Sequence, residues 1–276
     1  MNGLRPESPD LQKRLAEEIA RPQGLIAGID ALDPGIPGAV LLRARFRPGR
    51  YRPELFRELD LDRPEQLARA VPKRCCEYLA GRLLARAALA ALGHPGGPVL
   101  PGPGRAPVWP AGAAGSISHS ADICACLALH MAGNPVHPGV DVETVADARN
   151  LDAILKLCCT PADRALIAAD PDRTALRATL LFSAKEALYK ALYPVFRKVA
   201  PFEAAELTAP PSDGLLHLRL TAELHPSLPA GRVFALRYLT WTATAQDSGQ
   251  EHGDRQVLTW ILHEPQQPGP APKPKT

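Results

Sequence analysis

Three hydrophobic patterns run along this chain of 276 residues, and they predict different elements. Residues 73–92 (KRCCEYLAGRLLARAALAAL) are rich in Ala, Leu and Arg, and the run stops at Gly93 and Pro95, which predicts a helix. Ala39–Phe46 and Ile123–His130 are short apolar runs of strand length. Leu216, Leu218 and Leu220 alternate with His217, Arg219 and Thr221, the period of a half-buried strand, and residues 232–242 and 256–262 are also strand-like. Residues 139–143 read as a further strand. Helices are predicted at 150–158 and again from Thr160, which is placed as N-cap with Pro161 at the first helical position. Residues 174–192 carry one long helix or two abutting ones.

The segments between are weaker. Residues 1–35 read as partly helical, breaking at Gly and Pro, and residues 50–69 as mixed helix and loop. Residues 96–115 are heavy in Gly and Pro and read as loop, and Ala132-Gly133-Asn134-Pro135 is a turn signal. Residues 246–254 form a polar hairpin loop in this reading, and the Pro- and Lys-rich 265–276 a disordered tail. The resulting order is strand, helix, loop, strand, then strand, helices, strands. It predicts an α+β protein in two lobes of similar plan: residues 1–133, then 134–264, then the tail.

Composition narrows the class. Apolar residues make up 46% of the chain, enough for a sizeable core. Net charge is +3 with no concentrated Lys/Arg run, which suits an anionic small molecule or an acidic protein partner and argues against nucleic acid. The six cysteines (Cys75-Cys76, Cys124-x-Cys126, Cys158-Cys159) lack zinc-type spacing and read as reduced, packed thiols. With no apolar signal core and no membrane-length apolar run, a soluble cytoplasmic protein is expected.

The candidate chemistry lies in a few short blocks, each with an ordinary structural alternative. Asp141 and Glu143, two apart on a strand, point to one face, between Val140 and Val142 that face the core. They suit a magnesium or manganese ion, or equally a solvated edge strand. About forty residues on stands FSAKEALYK (182–190). Its Glu186 and Lys190 share a helix face, where one can hold a metal or take a proton while the other holds a phosphate oxygen. The same residues also read as a capping box, Ser183-x-x-Glu186, followed by an i, i+4 ion pair. Lys185 is placed at the helix start, where backbone N–H groups favour anions. Ser118, His119 and Ser120, in SISHS after the Gly/Pro-rich loop, can bind phosphate oxygens or form a polar turn. Arg74 and Arg82 lie two turns apart on the first long helix, as phosphate forks or a solvated basic face, and Arg86 belongs to the solvated face. Arg105 and Trp109 can flank a purine ring, or Trp109 can anchor its loop.

Together, KRCCEYLAGR (73–82), GRAPVWPAGAAGSISHS (104–120), GVDVE (139–143) and FSAKEALYK (182–190) resemble the 4′-phosphopantetheinyl transferases, in particular the large two-lobed class of the enterobactin-synthetase-component type. The resemblance covers about residues 70–195. It implies a pseudo-dimeric fold of two similar α/β lobes, acting as a monomer, with coenzyme A in the cleft between them. The implied reaction moves phosphopantetheine from coenzyme A to a serine of an apo acyl or peptidyl carrier protein, as in siderophore and other nonribosomal peptide synthesis, and leaves adenosine 3′,5′-bisphosphate. By the same resemblance Asp141, Glu143 and Glu186 hold Mg²⁺ (or Mn²⁺) on the pyrophosphate, and Glu186 deprotonates the carrier serine. Lys185 and Lys190 contact the pyrophosphate. His119, with Ser118 and Ser120, contacts the 3′-phosphate or neighbouring oxygens, and Arg74, Arg82 and Arg105 hold the nucleotide. A scaffold that only binds coenzyme A or a carrier, and a metal-dependent phosphohydrolase, are the rival readings.

Overall fold

A computed structural model describes residues 24–94, 97–102, 106–131, 133, 135–242 and 255–265. The first sheet has four antiparallel strands in the order β1-β2-β6-β5: β1 Ile26–Leu32, β2 Ala39–Phe46, β5 Ala113–Ser120 and β6 Ile123–His130. The two intervening strands, β3 Leu100–Pro101 and β4 Pro107–Val108, pair only with each other. A one-turn helix, α1 Leu55–Glu58, precedes the long α2 Pro72–Ala91. Helix α2 opens with Pro72, whose absent N–H costs nothing in the first turn. It gives out at Gly93, which takes a φ of 69° that a side chain would resist. Its alanines and leucines bury against one face of the sheet, with Val40, Leu42, Ala44, Phe46 and Cys126. Gly81 sits where a Cβ would come 3.0 Å from Ile117 of β5, so small residues let the helix lie close.

The second sheet has five antiparallel strands in the order β7-β11-β10-β9-β8: β7 His137–Thr144, β8 Ala205–Leu207, β9 Leu215–Leu220, β10 Val233–Thr242 and β11 Arg255–His263. Three helices follow β7: α3 Ala148–Leu157, α4 Pro161–Ala168 and α5 Thr174–Phe196. Thr160 caps α4 with a full capping box to Asp163, and Pro161 takes the first position as expected. Helix α5 is a single 23-residue helix that packs Ala178, Leu181, Ala184, Leu188 and Leu192 on the sheet. A third core joins the two sheets: Leu41, Ile123, Ala125 and Leu127 of the first meet Val140, Val142, Leu258 and Trp260 of the second. The Trp260 indole N–H donates to the Pro34 carbonyl at 2.9 Å, a further tie between the halves.

Strands β2 and β6 match the predicted bounds, and the helices expected over 73–92, 150–158, from Thr160 and over 174–192 all exist, while residues 1–23 of the partly helical 1–35 lie outside the described residues. Residues 26–32, expected within a partly helical stretch, are instead strand β1. Residues 113–120, expected as loop and turn, are strand β5. Ala132 and Asn134 of the expected turn at 132–135, the hairpin loop at 246–254 and almost all of the 265–276 tail lie outside the described residues. All six cysteines are free and buried, as expected of packed thiols. Among the described residues, no helix is long and apolar enough to cross a membrane.

Candidate active site

Strands β5 and β7 are the edges of their sheets, and they lie side by side. Among the described residues no backbone ladder pairs them. Alternate residues of β5 instead present hydroxyls to β7. Ser116 Oγ accepts from the Val140 amide at 3.1 Å, Ser118 Oγ donates to Asp141 Oδ1 at 2.7 Å, and Ser120 Oγ donates to Glu143 Oε2 at 2.6 Å. Helix α5 crosses behind β7 so closely that a Cβ on Gly139 would stand 2.0 Å from the Ala187 carbonyl oxygen. Only glycine permits this approach, and it brings Lys190 onto the strand. The Lys190 ammonium donates to Asp141 Oδ1 at 2.7 Å, and to Ser118 Oγ and the Val140 carbonyl at 3.0 Å each.

The three carboxylates feel one another. Burial pushes the Glu143 carboxyl up to about 7, reinforced by the negative charge of Asp141 and opposed by the Ser120 hydroxyl and Lys190. Burial also raises Glu186, helped by Asp141 and opposed by Lys190. Among the described residues no hydrogen bond or ion pair engages the Glu186 carboxylate. Asp141 is 3% exposed, and its Oδ2 is buried without a partner, an orphaned acceptor of the kind a bound cation satisfies. An all-oxygen carboxylate set suits a hard divalent cation. Among the described residues no three such side chains already converge as a metal cluster, and Lys190 lies on Asp141.

On the other face of β5, His119 points towards α2. Its Nε2 lies 2.6 Å from Arg74 Nη1, and its Nδ1 3.6 Å from Glu77. Burial, together with the charges of Arg74 and Lys190, lowers the His119 pKa. Arg82 is buried, with its guanidinium 4.6 Å over the Tyr78 ring and its Nε without a partner. Arg74, Arg82, His119 and Tyr78 line one cavity of about 740 Å³, closed by Leu67, Pro107 and Ile117. Two cations, one of them (Arg74) 3.4 Å from the Glu77 carboxylate that also lines the cavity, an imidazole and an apolar floor form a pocket for an anion attached to a flat or apolar group.

The structure thus groups Asp141, Glu143, Lys190, Ser118 and Ser120 at the sheet junction, with Glu186 coupled to them. It groups Arg74, Arg82 and His119 in the cavity beside it. Three expectations are corrected. Lys185 is not at a helix start: it lies mid-helix, buried, donating to Asp163 Oδ2 at 2.7 Å and to the Cys158 carbonyl at 2.8 Å. Ser183 and Glu186 make no capping box, because Ser183 is internal to α5 and shares a hydrogen bond with Thr259. Asp141 is not on a solvated edge, because β5 covers that edge of β7. Arg105 lies outside the described residues. Trp109 packs its ring where a Cβ on Gly115 would be 2.2 Å away, so it anchors its loop against β5. The sequence reading missed Tyr78, although its place four residues before Arg82 on a helix was a usable signal. It also missed Ser116, which carried no charge to attract notice.

Residues 63–129 match the family model described as the 4′-phosphopantetheinyl transferase N-terminal domain, and residues 138–233 match that of the 4′-phosphopantetheinyl transferase superfamily. The 4′-phosphopantetheinyl transferase Svp of Streptomyces mobaraensis is 40% identical over 158 residues, covering 56% of this chain and 62% of that protein. PptT of Mycobacterium tuberculosis is 37% identical over 147 residues, covering 51% of this chain and 61% of its own length. Enterobactin synthase component D of Escherichia coli (strain K12) is 38% identical over 127 residues, covering 46% and 58%. The matched part of the chain spans less than two thirds of the length of these relatives. With both family models matched in succession, on the segments that carry the two residue groups, the chain belongs to the 4′-phosphopantetheinyl transferase superfamily.

Proposed function

We propose that this protein transfers 4′-phosphopantetheine from coenzyme A to a serine hydroxyl of an apo acyl or peptidyl carrier protein, acting as a monomer. In this reading residues 1–133 and 134–264 are two similar lobes, and the active site is the cleft where β5 meets β7. The observation that carries the reading is the adjacency of two unlike sites. A carboxylate group with one ammonium lies on one face of β5, and a cationic cavity lies on the other. Coenzyme A has this polarity, with a pyrophosphate for the first site and a phosphorylated nucleoside for the second.

The chain's residues then have separable tasks. Arg74, Arg82 and His119 hold the nucleotide and its 3′-phosphate, and Arg105, outside the described residues, shares that task by the family resemblance. Asp141, Glu143 and Glu186 would hold Mg²⁺ or Mn²⁺, which would neutralise charge on the pyrophosphate. Lys190 stands beside the same oxygens and offsets charge as the bond between the phosphates breaks. Glu186 takes the proton of the carrier serine. The serine oxygen forms its bond to the phosphopantetheine phosphorus, and adenosine 3′,5′-bisphosphate leaves with the electron pair of the broken P–O bond. An apolar cavity of about 230 Å³ beside Glu186, walled by Leu188, Leu192, Phe202 and Leu220, suits the extended pantetheine chain.

Chromatographic detection of adenosine 3′,5′-bisphosphate tests this. Release should need coenzyme A, divalent metal and apo carrier together, and Glu186→Gln should slow it about 10²–10³-fold. Release by water without carrier would mean a phosphohydrolase, and coenzyme A binding without release would mean a binding module.

A further inference from the structure

Ser118 and Ser120 belong to a block whose first interpretation was phosphate binding, yet their hydroxyls do not face the cationic cavity. Ser120 donates to Glu143 Oε2 at 2.6 Å, and Ser118 donates to Asp141 Oδ1 at 2.7 Å. Ser116, two residues earlier, accepts from the Val140 amide. The three hydroxyls stand at every second residue of β5: Ser116 meets a backbone amide of β7, and Ser118 and Ser120 meet its two side-chain carboxylates.

We infer that Ser120, supported by Ser118, is a positioning residue that aims the β7 carboxylates from the opposite sheet, and not a phosphate ligand. This rests on the transferase reading above. A glutamate on a strand has three side-chain torsions and no fixed aim. A hydroxyl from the neighbouring edge, holding one oxygen at hydrogen-bond distance, fixes that aim. On Asp141 the same device, with Lys190, occupies Oδ1 and leaves Oδ2 buried and unpartnered, so the free acceptor is the one left for a cation. His119 lies between the two serines and points the other way, to Arg74. A single strand thus sets the aim of the carboxylates on one face and lines the cationic cavity on the other. A change in how the two sheets sit against each other would disturb both at once.

The test compares wild type, Ser120→Ala and Ser120→Thr, using Mn²⁺ titration of the protein alone followed by paramagnetic resonance. Affinity for adenosine 3′,5′-bisphosphate and thermal melting are measured beside it. A positioning role predicts that Ser120→Ala weakens Mn²⁺ about tenfold or more, leaves the bisphosphate affinity within about twofold, and is rescued by Ser120→Thr. The melting curve, unchanged in Ser120→Thr, keeps the comparison interpretable if Ser120→Ala folds less well. Unchanged Mn²⁺ affinity with weakened bisphosphate binding would overturn the inference and return Ser120 to phosphate contact. Failure of the wild type itself to bind Mn²⁺ or to transfer would overturn the transferase reading, and this inference with it.

Discussion

Lys185 and Lys190 stand five residues apart on α5 and have opposite surroundings. Lys185 is 3% exposed, and Asp163, its partner, is fully buried and also accepts from the Thr160 and Leu207 amides. That pair ties α4, α5 and β8 together. Lys190 is 27% exposed at the mouth of the site, and among the described residues its ammonium hydrogen-bonds groups of β5 and β7. Removing one partner of a buried ion pair strands the other, at a cost of about 3 kcal/mol. Lys185→Met should therefore lower the melting temperature by about 6–12 °C. Lys190→Met, where water can replace the ammonium, should cost about 1 kcal/mol yet slow transfer about 10²-fold. Calorimetry and the carrier assay on both variants check this, and equal losses of stability would refute the division. The two lysines look alike in FSAKEALYK. Their difference lies in the partner each meets in the fold, Asp163 for Lys185 and Asp141 for Lys190, which the local pattern does not show.

Among the elements, β2 and β6 were legible because each is a near-continuous apolar run buried on both faces. Strand β5 was not: AAGSISHS has one branched apolar residue, and its order comes from the hydroxyl contacts to β7 and from Trp109 over Gly115. Strand β1 was hidden by Gly28 and by acidic Asp30, whose partner Arg43 lies across the pair on β2. The capping-box pattern misled because Ser-x-x-Glu has the same spacing inside a helix as at its start, and only the burial of Ser183 decides between them. Gly139 is the element-scale hinge of the account, because it sets how near β7 lies to α5. Gly139→Ala places a methyl against backbone, which cannot yield like a side chain. A loss of about 3 kcal/mol is expected, with transfer falling more than stability explains, since Asp141 and Lys190 are pushed apart. Denaturant unfolding and transfer rates on one preparation check this. A variant as stable and active as wild type would show that β7 and α5 are not so tightly packed.

For the whole molecule, the end of the second sheet carries a pH-sensitive pair. His263 of β11 is buried beside its cross-strand partner His137 of β7, under the Phe234 ring and near Arg232, and its pKa is pushed down to about 4, chiefly by burial. Between that value and the ordinary 6.5, the unfolded chain binds a proton that the folded protein refuses. The His263 contribution is complete above pH 6.5 and is lost as pH falls towards 4, by about 3 kcal/mol. His137 and His119 are shifted the same way, while Glu143, raised to about 7, pulls oppositely in part of that range. The prediction is therefore a difference: His263→Phe should lose less stability than wild type between pH 6.5 and 4. Parallel pH–stability curves would contradict it.

At the same scale lies the claim that the junction of the two sheets is a transferase site. Intact-protein mass spectrometry tests it most directly, on an apo acyl carrier protein and an apo peptidyl carrier domain, each incubated with this protein, coenzyme A and Mg²⁺. The account predicts that at least one carrier gains one phosphopantetheine on its serine, that EDTA prevents the gain, and that Asp141→Ala abolishes it. No gain on either carrier while coenzyme A is shown to bind, or a gain that persists in EDTA and in Asp141→Ala, would contradict it.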